Sequence, residues 1–587
     1  MATLFDDSDD DEVFTGFSRE ERSRLRRAHG IEDSDDEVLL EEEMSDGEHE
    51  GEAESHELEW NENPDDVDTP EFSQRVGPAR VMPRNSSVLD YFLILFTTEL
   101  LQLIARNTTL YETEIDIDRE EMRGDFYPAS LEESKAFIGV VILMGIVKLP
   151  KISNYWATDE RFYQPSIAKV FPRDRFLQLM RYLHISDPRT MPEKTHPDYK
   201  LYRVKPIIQT LAQTFERMYN PHREQAIDEA MVKFKGRIGF LQYMPMKPCK
   251  RGIKIWCRCD STNGYLCQFE VYIGKESETQ VALLPGQAEG SIAAVVRRLT
   301  RPLVGKNYYV FMDNFFSGIS LFRELLNENI YCCGTLRKNR KGFPESLKTV
   351  KLKEQGESKF ARSGNMVCTI WRDKASNKPV TILSTQCNPV GGDQVKRRKK
   401  QGRQWVDVVI NRPASVAFYN KFMGGVDMHD QARRYYNLTQ KSVKWWKYLF
   451  WFFLDTAIVN SYIIYSETPG NPKLTHLDFR LKLSKELIGN YGSRKRAGRP
   501  RAQSVLADVL DHVYDRIVDK DKKALQCEAC KAKNQRLKCA NKKGPRPRES
   551  RDGCRGCQVI LCKGDCFAEW HSNLGVVQEE SDTETLA

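Results

Sequence analysis

The chain has 587 residues, with 89 lysines and arginines, 83 acids and 15 cysteines, which is length enough for several domains with substantial cores. Its formal charge of +6 hides an asymmetry: residues 1–70 hold 27 acids against 5 basic residues, a net −22, while the other 517 hold 84 basic and 56 acidic, a net +28. That surplus points to a polyanionic partner, most simply nucleic acid, and the acidic start lacks the basic-then-apolar pattern of a secretory leader.

The leader, with "DDSDDDEV" and "EDSDDEVLLEEEM", is dense in like charge and poor in aromatics, so residues 1–86 are expected to be disordered. Ser8 and Ser34 sit among acids as candidate phosphorylation sites, and the leader could fold back on the basic body. Apolar residues at helical spacing follow in 87–108 and 130–150. The second run opens with Ser130 and Glu133 placed as a capping box. "DRFLQLMRYLHIS" and "VKPIIQTLAQTFERMY" continue the helical texture to about residue 220. Short β-rich runs then alternate with helices, as in "AIDEAMVKFKGR", "RGIKIWCRCDSTNGYLCQFEVYIG", "SIAAVVRRLTRPL" and "KNYYVFMDN". Such interleaving predicts an α/β core over about 225–345. Residues 346–407 read as a polar, basic module, and 414–465 as helical again. The run "WWKYLFWFFLDTAIVNSYIIY" is apolar enough for a membrane but carries Lys447, Asp455 and Asn460, so a buried helix is expected. Trp445 and Trp446 there could stack on an unpaired base, core packing being the alternative.

Three acids stand where a metal site could be built. Asp260 ends "GIKIWCRC", Asp313 ends "YYVFM", and Asp427 follows two glycines at a helix start, with Asp430 one turn on. Carboxylates of this kind can hold a pair of divalent cations for phosphoryl transfer. Each has a structural alternative: Asp260 and Asp313-Asn314 are turn chemistry, and Asp427 suits a helix N-terminus. Asp228 and Glu229 in "DEAM" read equally as a structural salt bridge.

Taken together, "AIDEAMVKFKGRIGFLQYMPMKPCKRGIKIWCRCDSTNGY", "YVFMDNFFSGISLFRELL", "YNKFMGGVDMHDQARRYY" and the C-terminal cysteine pattern resemble the piggyBac-type DNA transposases over roughly 87–573. The resemblance implies an α/β multidomain fold: an RNase H-like core interrupted by an insertion domain, a helical DNA-binding and dimerisation domain, and a C-terminal zinc domain. It implies Asp260, Asp313 and Asp427 as the catalytic triad binding Mg²⁺ or Mn²⁺, with Asp430 an additional acid. Its domain division would be 1–86 leader, 87–252 and 435–492 helical domain, 253–345 and 408–434 core, 346–407 insertion, 493–524 basic linker, 525–573 zinc domain and 574–587 tail. The implied activity is cut-and-paste transposition at TTAA through hairpin ends, by a nuclear homodimer on double-stranded DNA. A domesticated chromatin- or DNA-binding descendant is the alternative. No membrane partner is expected.

Four stretches complete the site expectations. Arg337, Lys338, Arg340 and Lys341 follow a core strand and should meet DNA backbone, and Arg397 and Arg398 lie in the cluster 396–400. Arg499 and Arg501 belong to "GRPR", which resembles an AT-hook core, a nuclear-import signal or plain linker being the alternatives. Cys527, Cys530, Cys554, Cys557, Cys562, Cys566 and His571 have zinc-ligand spacing, with Cys539 the candidate eighth ligand. Two interleaved Zn²⁺ sites are what the resemblance implies there, with a chromatin-protein contact as a competing use of the module.

Overall fold

The computed structural model describes residues 58–115, 127–245, 247, 249–274, 292–373, 378–401, 404–492, 514–518, 523–539, 544–554 and 559–572. Most of the acidic leader, the GRPR stretch with Arg499 and Arg501, and Cys557 lie outside the described residues. The chain divides into two compact units, one of residues 1–97, 141–151 and 192–486, the other of 98–140, 152–191 and 487–587.

The first unit is built on a nine-stranded mixed sheet. Its strands are β1 Glu224–Lys233, β2 Arg251–Asp260, β3 Leu266–Val271, β4 Tyr308–Met312, β5 Ile330–Thr335, β6 Ser358–Ser363, β7 Met366–Trp371 and β8 Val380–Ser384, with a two-residue strand Gln242–Tyr243. The order across the sheet is β3-β2-β1-β4-β5-β8-β7-β6, the short strand also pairing β2. β1 and β4 pair in parallel, as do β4 and β5, whereas β2 is antiparallel to β1.

Helices α2 Ile292–Thr300 and α3 Ile319–Asn327 cover one face, and α4 Ala414–Phe422 the other. Tyr308, Val310 and Met312 of β4 join the α2/α3 core while Tyr309 and Phe311 join the α4 core. Burial on both faces is why "YYVFM" is apolar throughout and does not alternate. The sheet also runs past residue 345, the expected edge of the core, because Ser384 of β8 pairs with Cys333 of β5. The hairpin β9 Gly392–Gln401 and β10 Gln404–Pro413 forms a separate ribbon, not part of that sheet.

Helix α1 Lys205–Met218 precedes the sheet, and α5 Gly425–Tyr435, α6 Trp445–Glu467 and α7 His476–Ile488 follow it. The membrane-like run is α6, 89% buried over its most apolar window. Asn460 of α6 accepts from Leu266 N at 3.0 Å and donates to Leu266 O at 2.9 Å, fixing the helix to β3. Trp446 is buried and Trp445 meets Phe240 edge-on at 5.3 Å, so both belong to the packing.

In the second unit the segment Thr98–Leu110 packs on Arg173–Tyr182. Ser130 Oγ caps Glu133 N at 3.1 Å as its spacing predicts. The Glu133 carboxylate, however, goes to a buried bidentate pair with Arg175 at 2.6 and 2.8 Å in place of closing the capping box. The complete box is at Ser87–Asp90, in the first unit.

Candidate active site and metal centre

Register decides which acids meet. The last parallel pair of β1 and β4 is Ile227 with Met312, so the next step sets Asp228 beside Asp313. Adjacent strands lie about 4.8 Å apart, and residues at one register position share a face. Ile227 and Met312 face the α2/α3 core, so Asp228 and Asp313 face the α4/α5 side. There α5 closes down tightly: a Cβ on Gly425 would meet Ala226 Cβ and Asp260 O at 3.1 Å each. Gly425 thus lets the helix bearing Asp427 sit on the same face of β1 as Asp228.

The electrostatics agree. The Asp228 carboxyl is pushed up to about 8 by burial and then by the Glu229 charge, and Asp313 is raised by the same two causes. Lys247 answers them from the 244–250 loop, 2.8 Å from Glu229 and 4.0 Å from Asp228. Burial alone would lower its ammonium, but the charges of Asp228, Glu229 and Asp427 raise it. Tyr419 of α4 is pushed up to about 12, chiefly by burial, with the Asp313 and Asp228 charges contributing. Asp313 also performs its turn role, accepting from Phe315 N at 2.9 Å through Oδ1.

Asp260 is not in this group. It pairs with Gln225, three residues back along β1, which puts it about 10 Å away and on the opposite face of the sheet. Its carboxylate is fully enclosed: Oδ2 accepts from His222 N at 2.7 Å and is 2.9 Å from His222 Nδ1, and Oδ1 accepts from Thr262 N at 2.8 Å. Asp260 is thus engaged as its turn alternative describes, and Asp228 is the acid that the register sets beside Asp313. Asp430 is likewise engaged, its oxygens 2.8 Å from Arg433 and 3.3 Å from Arg434. It lines, with exposed Asp427, Gly424, Gln431 and Arg434, an open groove along α5.

The basic loop after β5 does reach the site. Arg337 Nε donates to Asn314 Oδ1 at 3.1 Å and Arg340 Nη2 to Asn314 O at 3.1 Å, so both are tied to the residue after Asp313. Lys338 donates to Leu347 O at 3.4 Å, and Lys341 is exposed. Of the neighbours Arg397 and Arg398, the first is committed to Asp373 at 2.6 Å. Lys247 and Tyr419 carried no chemical signature in the sequence; Asp228 and Glu229 were visible in "DEAM", and a one-residue extension of the β1–β4 pairing is the signal that sets Asp228 beside Asp313.

Both candidate metal sites pass a test on their own atoms. Carboxylates raised by burial and by the Glu229 charge, with Lys247 only partly offsetting them, form a hard-oxygen donor set suited to Mg²⁺ or Mn²⁺. In the cysteine module, the ligand atoms of Cys527, Cys530, Cys562 and Cys566 all lie within 4.8 Å of one another. Cys530 and Cys566 sulfurs are 3.6 Å apart, against about 3.8 Å for the edge of a tetrahedron with 2.3 Å bonds. The four come from the start of α8 Glu528–Cys539, the residue before it, the loop into α9 Asp565–Ser572, and the first turn of α9. Cys554 and His571 are buried nearby in sequence order but outside this group, and the Cys539 side chain lies outside the described residues. Burial and the neighbouring thiols push Cys562 up to about 11, a cost that a bound cation reverses.

A mixed sheet that sets Asp228 beside Asp313, with a four-cysteine module, describes a protein with two candidate metal sites. The chain belongs to the transposase IS4 family, whose model matches residues 87–462. Within it the chain is of the piggyBac type. Human piggyBac transposable element-derived protein 5 is 26% identical over 443 residues, 73% of this chain and 81% of that protein. Human piggyBac transposable element-derived protein 3 is 26% identical over 468 residues, 78% and 74% of the respective chains. A cryo-EM structure of the piggyBac transposase synaptic complex with hairpin DNA superposes with a TM-score of 0.62 at 25% identity, covering 83% of this chain and 98% of that one.

Proposed function

We propose that the chain is a cut-and-paste DNA transposase whose metal-holding acids are Asp228, Asp313 and Asp427. The observation that carries this reading is the register that sets Asp228 beside Asp313, with α5 seated on the same face. Strand order β3-β2-β1-β4-β5, with β2 antiparallel to both β1 and β3 and with β1, β4 and β5 mutually parallel, is consistent with an RNase H-like core. Mg²⁺ held there would activate the attacking oxygen and stabilise the leaving one in each in-line displacement at phosphorus. Tyr419 of α4 feels the Asp313 and Asp228 charges, and Lys247 offsets the charge of Asp228 and Glu229. Arg337 and Arg340 anchor the loop that presents Lys341 to the DNA backbone. Hairpin-ended intermediates, TTAA targets, a homodimer pairing two ends and a nuclear location complete the reading. The solved relative, a synaptic complex with hairpin DNA, supports the hairpin and DNA parts of it.

A second reading, a DNA-binding protein without transposition, is favoured by relatives named as transposable element-derived. Strand cleavage on DNA carrying the repeats that flank its own gene separates the two. Under the first reading Mg²⁺ supports nicks and hairpins, Ca²⁺ supports binding alone, and Asp313→Asn binds without cutting. Binding without cutting by the wild type would select the second reading.

The cysteine module is proposed to hold Zn²⁺, one ion on Cys527, Cys530, Cys562 and Cys566. Cys530→Ser should lower the zinc content by one ion per chain, measured by elemental analysis. It should also open 523–572 to protease, because a structural zinc site contributes its binding energy to folding. Unchanged metal content in that variant would remove Cys530 from the site.

A further inference from the structure

The β9–β10 ribbon raises a separate question, because its outward face is apolar and cationic at once. Ten paired positions, Gly392 with Pro413 through Gln401 with Gln404, make a two-stranded projection roughly 30 Å long. Only its inward face is anchored: Ile410 is buried, Val395 and Val408 are half-buried, and Arg397 pairs with Asp373 at 2.6 Å. Successive strand residues point to opposite faces, so Lys396, Arg398, Trp405, Asp407 and Val409 share the other one. There Trp405 is 66% exposed and Val409 53%. Arg398 and Asp407 are 3.8 Å apart and both largely exposed, a pair too weak to hold the guanidinium from a stronger anion. Residues 395–406 contain six cations and no acid.

We propose that this outward face is a DNA-contacting surface, with Lys396 and Arg398 on backbone phosphates and Trp405 packed into a groove. The proposal rests on the reading of the chain as a DNA-processing enzyme and places a contact outside the acid cluster. Three arguments select DNA as the occupant. The run of cations complements a polyanion and opposes a basic or neutral protein surface. A two-stranded ribbon matches the roughly 12 Å width of the major groove. Lysines along both a strand and its edge discourage addition of another β-strand, the other common partner of such a hairpin. An exposed tryptophan supplies contact area that solvated cations alone do not need.

The test is binding of the full-length protein to a fluorescein-labelled random-sequence duplex, followed by anisotropy over a salt series. Lys396→Ala/Arg398→Ala should make the dependence of log Kd on log salt shallower by about 1.8, since each phosphate contact contributes about 0.9. Trp405→Ala should weaken binding roughly ten-fold at fixed salt and leave the slope in place. All three side chains are exposed, so melting temperatures should match wild type; if Trp405→Ala lowers its own, the salt slope of the charge variant decides alone. Wild-type slope and affinity in both variants would overturn the ribbon contact and leave the transposase reading standing. Failure of the wild type itself to bind duplex would overturn both. Loss of self-association with DNA binding intact, measured by sedimentation, would overturn it in favour of a protein partner.

Discussion

Under the proposed reading, Asp228→Asn should abolish Mg²⁺-dependent strand cleavage, by at least about a thousand-fold, while Asp260→Asn should leave cleavage per folded molecule near wild type. The two acids lie on neighbouring strands, yet one sits beside Asp313 and the other is sealed behind His222 and Thr262. Asp260→Asn places an amide nitrogen among donors, which costs about 1–3 kcal/mol of stability and is read by denaturant unfolding. Metal-free stability separates them a second way. Asp228 has its folded value raised to about 8, so between about 4 and 8 the folded chain holds a proton that the unfolded chain has lost. Its contribution to stability is therefore present below that window and lost as pH rises through it. In EDTA, Asp228→Asn should flatten that decline and melt higher than wild type at pH 8. Saturating Mg²⁺ should reverse the ranking, because the variant has lost a ligand. Cleavage surviving in Asp228→Asn, or lost in Asp260→Asn at full folding, would return the first position to Asp260.

What the sequence concealed here was register rather than composition. Helices at 131–146, 205–218 and 445–467 follow from apolar spacing, and Asp313 is visibly a strand-end acid. Nothing local says that β1, not β2, is the parallel neighbour of β4. That pairing forms across more than eighty residues of chain, and an offset of three residues moves a side chain both along the strand and to the other face. The same logic split Arg397 from Arg398, adjacent in sequence and opposite in direction. Strands in "FARSGNMVCTIWRD" and "KPVTILSTQ" were legible, but not their membership of the core sheet, which depends on Cys333 meeting Ser384. Cysteine spacing announced a metal module plainly; which four sulfurs share one centre depended on how the loop into α9 folds back on Cys527.

Arg480→Met should destabilise the first unit by about 3–5 kcal/mol, the largest effect expected outside the apolar core. Arg480 is fully buried, and its Nη2 donates to Asp455 Oδ1 at 2.5 Å. Its Nε donates to His476 Nε2 at 2.9 Å. Burial, and then the Arg480 charge, hold His476 down to about 3, so the ring stays neutral and can accept that bond at any working pH. Removing the guanidinium strands the Asp455 carboxylate, already raised by burial, in the interior of α6. The consequence reaches the site, because α6 fixes β3 through Asn460 and meets α5 where Thr456 Oγ1 lies 3.3 Å from His429 Nε2. His429 in turn holds Gly264 O at 2.9 Å, so α5 and the Asp260 turn are set by one frame. Arg480→Met combined with Asp455→Leu should recover most of the loss, since a buried pair replaced by apolar groups is often neutral or stabilising. Denaturant unfolding of the two variants and of wild type checks this. A single variant within about 1 kcal/mol of wild type, or a double variant no better than the single, would mean the buried pair does not set the frame that carries Asp427.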